Sequence, residues 1–250
     1  MEKLVIFGSS WSEGEWGRSD PGEFGLQVTH PGMTEYLSDT YKVVNFSKSG
    51  SSLWQILYAI HNYCDMSFID REEAEVPAKI IVFQNDPFIS TLSEKFDVDY
   101  QKIFKECVDI NALYQMLVEM FYIKLSEIQR KYNIDVYLCG AISDVDPRLA
   151  AYCPNLKVLC SSWVKLLDPT HTPSIIPLNW YRDTLPVVRS YGRMDLCEEI
   201  INISDNNFKE LQTRLECEYI GREFGDYHPN RQGHEIMSNY IKDYFRKTEQ

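Results

Sequence analysis

Five short apolar runs, spread along 250 residues, constrain the fold of this chain more than any other feature of its sequence. They cover residues 3–7, 41–46, 79–83, 134–139 and 156–160. Continuous apolar runs of this length are typical of strands that are buried on both faces, as they are in parallel sheets. The segments between the runs carry apolar residues at helical spacing. We therefore expect an α/β fold, in which helices cover both faces of a mostly parallel five-stranded sheet to form a three-layer αβα sandwich.

Helices are predicted in the segments between and after these runs. They cover residues 31–38, 53–60, 109–131, 195–201, 207–216 and 231–247. In the longest helix, the predicted inner stripe consists of Leu113, Met116, Leu117, Met120, Phe121 and Ile128. The sequence has no internal repeat and no change of composition that would mark a boundary. The chain is therefore interpreted as one domain over residues 1–250, with insertions near residues 87–107 and 167–188.

Charge and composition exclude several classes of function. The formal net charge is -12, and an acidic surface repels phosphate, so nucleic acid is not expected as a partner. The seven cysteines form no CxxC pair and are interpreted as buried free thiols, which favours a reducing compartment. With no signal peptide and no apolar span of about 18 residues, we expect a cytoplasmic protein without a membrane span. No residues have metal-site spacing, so no cofactor is expected.

Polar turns follow three of the predicted strands. The first strand leads to Ser9 and Ser10, the second to Gly50 and the third to Asn85. In open α/β sheets, ligands bind beyond the carboxyl ends of the strands, so we expect these residues at one edge of the sheet. Ser10 is the candidate nucleophile, with Ser9 as the alternative. The backbone N–H groups of Ser10 and Gly50 and the side-chain amide of Asn85 are donors of the kind that stabilises an oxyanion.

A second site signal lies near the C-terminus, in the stretch from Asp226 to His234. Asp226 and His228 are two residues apart, so in an extended segment their side chains point the same way. Pro229 favours an extended conformation at His228, and Asn230 is a good N-cap for the helix that follows. We expect His228 to act as a general base and Asp226 to orient its imidazole. His234 is interpreted as a helix-surface or packing residue.

Other aromatic and imidazole side chains give weaker signals. Trp11, Trp16 and Trp180 are interpreted either as packing residues or as the lining of a substrate groove. His30, His61 and His171 have no recognisable partner pattern and are interpreted as non-functional.

Taken in order, the blocks around Ser10, Gly50, Asn85 and His228 resemble those of the SGNH (GDSL-type) hydrolases. These are serine esterases and lipases with a flavodoxin-like three-layer fold. The resemblance extends from residue 3 to about residue 244. It implies that Ser10 is the nucleophile, that Gly50 and Asn85 are oxyanion donors, and that His228 is the base.

Three positions depart from the pattern of that family. Ser9 replaces the Asp of Gly-Asp-Ser, and Phe83 replaces the Gly that precedes Asn-Asp. Gly225 stands three residues before the histidine, where the family has its Asp, so Asp226 lies one position closer. A backbone carbonyl is the alternative partner of the imidazole. The opening Gly-Ser-Ser-Trp-Ser is similar to that of small members encoded by viruses and bacteria.

The sequence therefore predicts a serine esterase that hydrolyses a short acyl ester through an acyl-enzyme. The expected substrate is a small-molecule or carbohydrate ester, for example an O-acetylated carbohydrate. Two alternatives stay open. The departures around Ser10 and His228 allow a catalytically silent binding module on the same fold. An alcohol in place of water as the acyl acceptor would make the protein an acyltransferase.

Overall fold

Seven strands and seven helices are present in the part of the chain that the computed structural model describes. This part comprises residues 1–17, 27–69, 79–85, 110–141, 143–151, 155–167 and 228–248, with single positions 153, 169, 194, 195 and 198. The strands are β1 (Lys3–Phe7), β2 (Glu15–Gly17), β3 (Gln27–His30), β4 (Lys42–Asn45), β5 (Lys79–Gln84), β6 (Val136–Gly140) and β7 (Lys157–Cys160). The helices are α1 (Ser10–Glu13), α2 (Met33–Leu37), α3 (Leu53–Ile69), α4 (Ile110–Tyr132), α5 (Pro147–Ala151), α6 (Trp163–Leu167) and α7 (Arg231–Thr248).

Five of the strands form one parallel sheet in the order β4-β1-β5-β6-β7. Numbered within this sheet alone, the strands run 2-1-3-4-5, which is the order of flavodoxin-like folds. The prediction of a mostly parallel five-stranded sheet is confirmed, because each predicted run forms one of these strands. β2 and β3 form a separate antiparallel pair.

Alternate residues of the central strands face two helical layers. Val5 and Phe7 of β1 belong to a buried cluster with apolar side chains of α3 and α4. Leu4 and Ile6 belong to a second cluster on the opposite face, with apolar side chains of α2, α6 and α7. Because both faces of the sheet are covered, its strands can be apolar throughout, as a parallel sheet requires. The predicted three-layer αβα sandwich is confirmed.

The structure contains a hairpin and three short helices that the sequence did not predict. β2 and β3 have only three and four residues, and β3 is mostly exposed, so neither has the apolar run by which the other strands are recognised. α1 takes the place of the tight Gly/Ser turn expected after β1. α5 and α6 have five residues each, which is too short for a helical stripe to be visible in the sequence.

The buried face of α4 differs in part from the predicted stripe. Met116 and Met120 are 45% and 40% exposed. The buried positions are Leu117, Val118, Phe121, Tyr122, Leu125 and Ile128. On a helix with about 3.6 residues per turn, these positions form one continuous arc, and the two methionines lie outside it.

Several expectations concern residues outside the described part of the chain. They include Asp226, the helix at 207–216, the insertion at 87–107 and, apart from positions 167 and 169, the insertion at 167–188. Of the helix predicted at 195–201, only positions 195 and 198 are described. The interpretation of residues 1–250 as one domain stays a prediction.

The described cysteines Cys64, Cys139, Cys153 and Cys160 are free and buried, as predicted. Burial raises the pKa of Cys64 to about 12 and that of Cys160 to about 11, so both thiols remain protonated and unreactive near neutral pH. A reducing compartment remains an expectation. None of the helices in the described residues is long and apolar enough to cross a membrane.

His234 is a packing residue rather than a surface one. It is fully buried near the start of α7, edge-on to the indole of Trp163 with 5.3 Å between ring centroids. Its pKa is lowered to about 4, first by burial and then by the nearby His30 and His228. The backbone groups of Gly14 and Pro229 act in the opposite direction.

This buried imidazole should make the protein less stable in mild acid. Between pH 6.5 and pH 4, the unfolded chain binds a proton at His234 that the folded chain excludes, so stability falls as the pH falls. The shift corresponds to roughly 3 kcal/mol at its full extent. We expect His234→Leu to lose less unfolding free energy than the wild type over this range. Urea unfolding at several pH values measures the difference. As a control, Met237→Leu alters another buried side chain of α7 that carries no titratable group, and it should keep the wild-type slope. An unchanged slope in His234→Leu would contradict the assignment.

Candidate active site

The candidate nucleophile lies where β1 ends at the carboxyl edge of the sheet. Ser9 is 1% exposed and Ser10 is 9% exposed, and Ser10 is the first residue of α1. The carbonyl of Ser9 accepts hydrogen bonds from the backbone N–H groups of Ser12 and Glu13, at 3.1 and 3.0 Å. It also accepts one from the Ser12 hydroxyl at 3.1 Å. The segment is therefore a helical turn with a fixed backbone.

Gly8 allows this turn to pack directly on the sheet. A Cβ at this position would lie 2.0 Å from Ser12 Oγ and 2.9 Å from Phe83 Cβ. No side chain fits in that space, so α1 can follow β1 without a linker only because residue 8 is glycine. Ser10 is placed at the sheet edge as a result.

The loop that carries Gly50 is joined to α1. The carboxylate of Glu13 accepts a hydrogen bond from the Ser49 backbone N–H at 2.6 Å, and the Lys48 N–H donates to the Gly8 carbonyl at 3.2 Å. Gly50 itself has φ of +71°, a conformation that favours glycine. No atom lies within 4 Å of the point where its Cβ would be. These hydrogen bonds attach the Gly50 loop to the helical turn that begins at Ser10.

Asn85 lies at the end of β5 and is fully buried. Its Nδ2 donates a hydrogen bond to the Ser51 carbonyl at 2.5 Å. This contact fixes the orientation of the amide, since Oδ1 in the same place would face another acceptor. An amide nitrogen carries two hydrogens, and this bond uses one of them. Asn85 is thus attached to the residue after Gly50.

A buried polar network lies beneath Asn85. The Tyr122 hydroxyl donates to Gln84 Oε1 at 2.5 Å, and Gln84 Nε2 donates to Ser143 Oγ at 2.9 Å. Ser143 Oγ in turn donates to the Asn85 carbonyl at 3.4 Å. Burial raises the pKa of Tyr122, so its hydroxyl keeps the proton that it donates. The network joins the end of β5 to α4 and fixes the backbone on which Asn85 stands.

His228 precedes α7, and its environment matches the local prediction in part. Asn230 is the N-cap of α7, because its Oδ1 accepts a hydrogen bond from the Gly233 N–H at 3.0 Å. Pro229 is buried and His228 is half-buried. Asp226 lies outside the described residues, so its role as the partner of His228 stays a prediction.

Trp16, which the sequence left undecided between packing and a substrate groove, contacts two parts of this site. Its Nε1 donates a hydrogen bond to the Ser10 carbonyl at 3.1 Å, and its ring centroid lies 5.9 Å from that of His228. The half-buried indole therefore contacts both the segment of the candidate nucleophile and the candidate base. In contrast, the ring of Trp11 is in the core, 5.6 Å from the ring of Trp163. A spacing pattern cannot reveal such a residue, because its two contacts lie at opposite ends of the chain.

In the described part of the chain, no three or more His, Cys, Asp or Glu residues are grouped so that they could hold a metal ion. The candidate residues offer one hydroxyl, one imidazole, one side-chain amide and backbone N–H groups. These are the groups that acyl transfer through a serine requires.

Comparison with known proteins yields structural likenesses only. No protein-family model matches the sequence, and no curated protein is significantly similar to it. The structure is similar to the psychrotrophic esterase EstA from Pseudoalteromonas sp., with 12% identity, 99% of this chain and 98% of that chain covered, and a TM-score of 0.41. It is also similar to a GDSL-like lipase from Bacteroides thetaiotaomicron, with 11% identity, coverage of 99% and 89%, and a TM-score of 0.40. For the acetylxylan esterase Axe2 from Geobacillus stearothermophilus, the identity is 14%, the coverage 97% and 93%, and the TM-score 0.37. Since these TM-scores are below 0.5, the interpretation of the site depends on the geometry of this chain.

The Glu13 carboxylate should hold the Gly50 loop in place. In Glu13→Ala, the Ser49 N–H loses its acceptor, and we expect its exchange with solvent to become roughly fivefold faster. Glu13→Gln retains an acceptor and should have a smaller effect. Hydrogen exchange followed by NMR measures both variants. The amide of Ile80, which donates to the Asp135 carbonyl within the fold, serves as an internal reference. Equal exchange at Ser49 in Glu13→Ala and the wild type would contradict this role.

Proposed function

We propose that the protein is a serine esterase that hydrolyses a short acyl ester, with Ser10 as nucleophile and His228 as general base. The observation that carries the proposal is the hydrogen-bonded connection of three strand ends. Ser10 begins the helical turn after β1, the Gly50 loop is bonded to that turn through Glu13, and Asn85 is bonded to the Gly50 loop through Ser51. This connection supports the proposal of one hydroxyl and several hydrogen-bond donors acting on the same acyl group.

The proposed reaction has two steps. In the first, Ser10 Oγ attacks the acyl carbon while His228 takes the hydroxyl proton, and the alcohol then leaves with that proton. In the second, His228 takes a proton from water, whose oxygen attacks the acyl-enzyme and releases the carboxylic acid. The proton returns to Ser10 Oγ. Asp226 is the proposed partner that orients the imidazole.

The developing oxyanion needs donors with fixed positions. We assign this role to the backbone N–H groups of Ser10 and Gly50 and to the second Nδ2 hydrogen of Asn85. The open space at Gly50 supports close approach of the substrate, and the Ser51 contact supports a fixed Asn85 amide. Small acyl esters, among them O-acetylated carbohydrates, are the proposed substrate class.

A fluorophosphonate probe tests the nucleophile, because it forms a covalent bond with an activated serine. We expect the wild type and Ser9→Ala to be labelled and Ser10→Ala to be unlabelled. Hydrolysis of nitrophenyl acetate should fall by about 10³-fold or more in Ser10→Ala. Ser9→Ala is the matched control, since Ser9 is the adjacent buried serine. Labelling of Ser10→Ala at the wild-type rate would contradict the assignment, and an unlabelled wild type would favour a silent binding module.

Asn85→Ala tests the oxyanion site. Loss of one oxyanion donor typically lowers kcat by roughly 10²–10³-fold, and we expect a decrease of that size in nitrophenyl acetate hydrolysis. The substitution also removes the hydrogen bond to Ser51, so thermal unfolding must show that the variant remains folded at the assay temperature. If folded Asn85→Ala retained the wild-type kcat, Asn85 would have no part in the chemical step.

A further inference from the structure

Trp16 lies between the segment of the candidate nucleophile, Ser10, and the candidate base, His228. Its indole N–H donates to the Ser10 carbonyl at 3.1 Å. The face of its ring is tilted by 41° to the imidazole of His228, at 5.9 Å between centroids. One rigid side chain thus contacts the backbone of the candidate nucleophile and the side chain of the candidate base.

The strand that carries Trp16 is itself held in place. β2 pairs with β3, with Trp16 opposite Val28, and the Thr29 hydroxyl donates to the Glu15 carbonyl at 3.2 Å. The Glu15 carboxylate forms an ion pair with Arg231, at 3.1 Å between Oε2 and Nε. Arg231 begins α7, directly after the His228 segment. Two consecutive residues of β2 therefore make these contacts: Glu15 contacts Arg231, and Trp16 contacts His228. The two contacts restrict movement of the indole away from His228.

We propose that Trp16 is a positioning residue, which holds the imidazole of His228 in register with Ser10. This inference rests on the proposed function. The indole hydrogen bond fixes the backbone beneath the nucleophile, while the ring restricts rotation and displacement of the imidazole. Catalytic groups lose much of their effect when they shift by about 1 Å, so such a contact matters for the chemical step. Trp16 does not itself exchange protons or bond to the acyl group.

Kinetic constants distinguish a positioning role for Trp16 from two simpler roles. A residue that only stabilised the hairpin would alter the unfolding temperature and leave kcat unchanged. A residue that only lined a substrate groove would raise KM. A positioning residue lowers kcat while KM and the fold are retained.

Two substitutions separate the contacts of Trp16. Trp16→Phe keeps an aromatic ring and removes the N–H donor, whereas Trp16→Leu removes both. With nitrophenyl acetate, we expect kcat to decrease in the order wild type, Phe, Leu, with a loss of about 10- to 100-fold in Trp16→Leu and a KM within about threefold of wild type. Val28→Ala is the matched control. It alters the hairpin partner of Trp16, a side chain that is 37% exposed, and leaves both contacts in place, so kcat should be unchanged.

NMR gives a second measurement that does not depend on turnover. The Trp16 ring current acts on the His228 ring protons, so their resonance should move most in Trp16→Leu, less in Trp16→Phe, and stay near its wild-type position in Val28→Ala. Three outcomes would overturn the inference: wild-type kcat in Trp16→Leu, a change in KM alone, or an unmoved His228 resonance. Each of them leaves the esterase proposal standing. A wild type that neither hydrolyses esters nor reacts with the fluorophosphonate would overturn the esterase proposal, and the positioning role with it. If Trp16→Leu fails to fold, the Trp16→Phe kinetics decide, and a wild-type kcat there overturns the hydrogen-bonding half of the proposal.

Discussion

The close packing of α1 on the sheet at Gly8 is the constraint on which the rest of the site depends. A side chain at residue 8 would meet Ser12 Oγ at 2.0 Å, so the helical turn could not start where it does. From that turn, the Ser12 carbonyl accepts a hydrogen bond from Asn45 Nδ2 at 2.8 Å, and the Glu13 carboxylate holds the Ser49 N–H. The loop after β4 is therefore positioned by α1. In turn, α1 can pack at this place because Gly8 has no side chain.

The site is held together by more than one kind of force. Asn85 and the Gly50 loop are connected by directional hydrogen bonds, and the buried Gln84 side chain beneath them is bonded to Tyr122 and Ser143. An unpaired polar group in such a place costs about 1–3 kcal/mol, which strongly favours the paired arrangement. At His228, a contact between rings is added to these hydrogen bonds: the Trp16 ring lies 5.9 Å from the imidazole, between centroids, and this packing limits displacement of the base.

The parts of the structure that could be predicted from sequence are those with a short-range signal. Residues 3–7 and 79–83 form buried strands because continuous apolar runs need burial on both faces, and Ser10 and Asn85 are candidate site residues because they follow these strands. β3 was not predicted because three of its four residues are exposed, so its sequence has no apolar run that would indicate a strand. Trp16 was undecided because its contacts join residues 10 and 228, and one sequence holds no record of such long-range proximity.

The burial of His234 bears on what the proposed base can do. During acyl transfer His228 would carry a positive charge, and a second charged imidazole nearby would oppose it. Burial lowers the pKa of His234 to about 4, so this neighbour is neutral at the pH values where an esterase commonly works. The burial of this imidazole against Trp163 thus has a folding cost, and it also means that His234 adds no positive charge near His228.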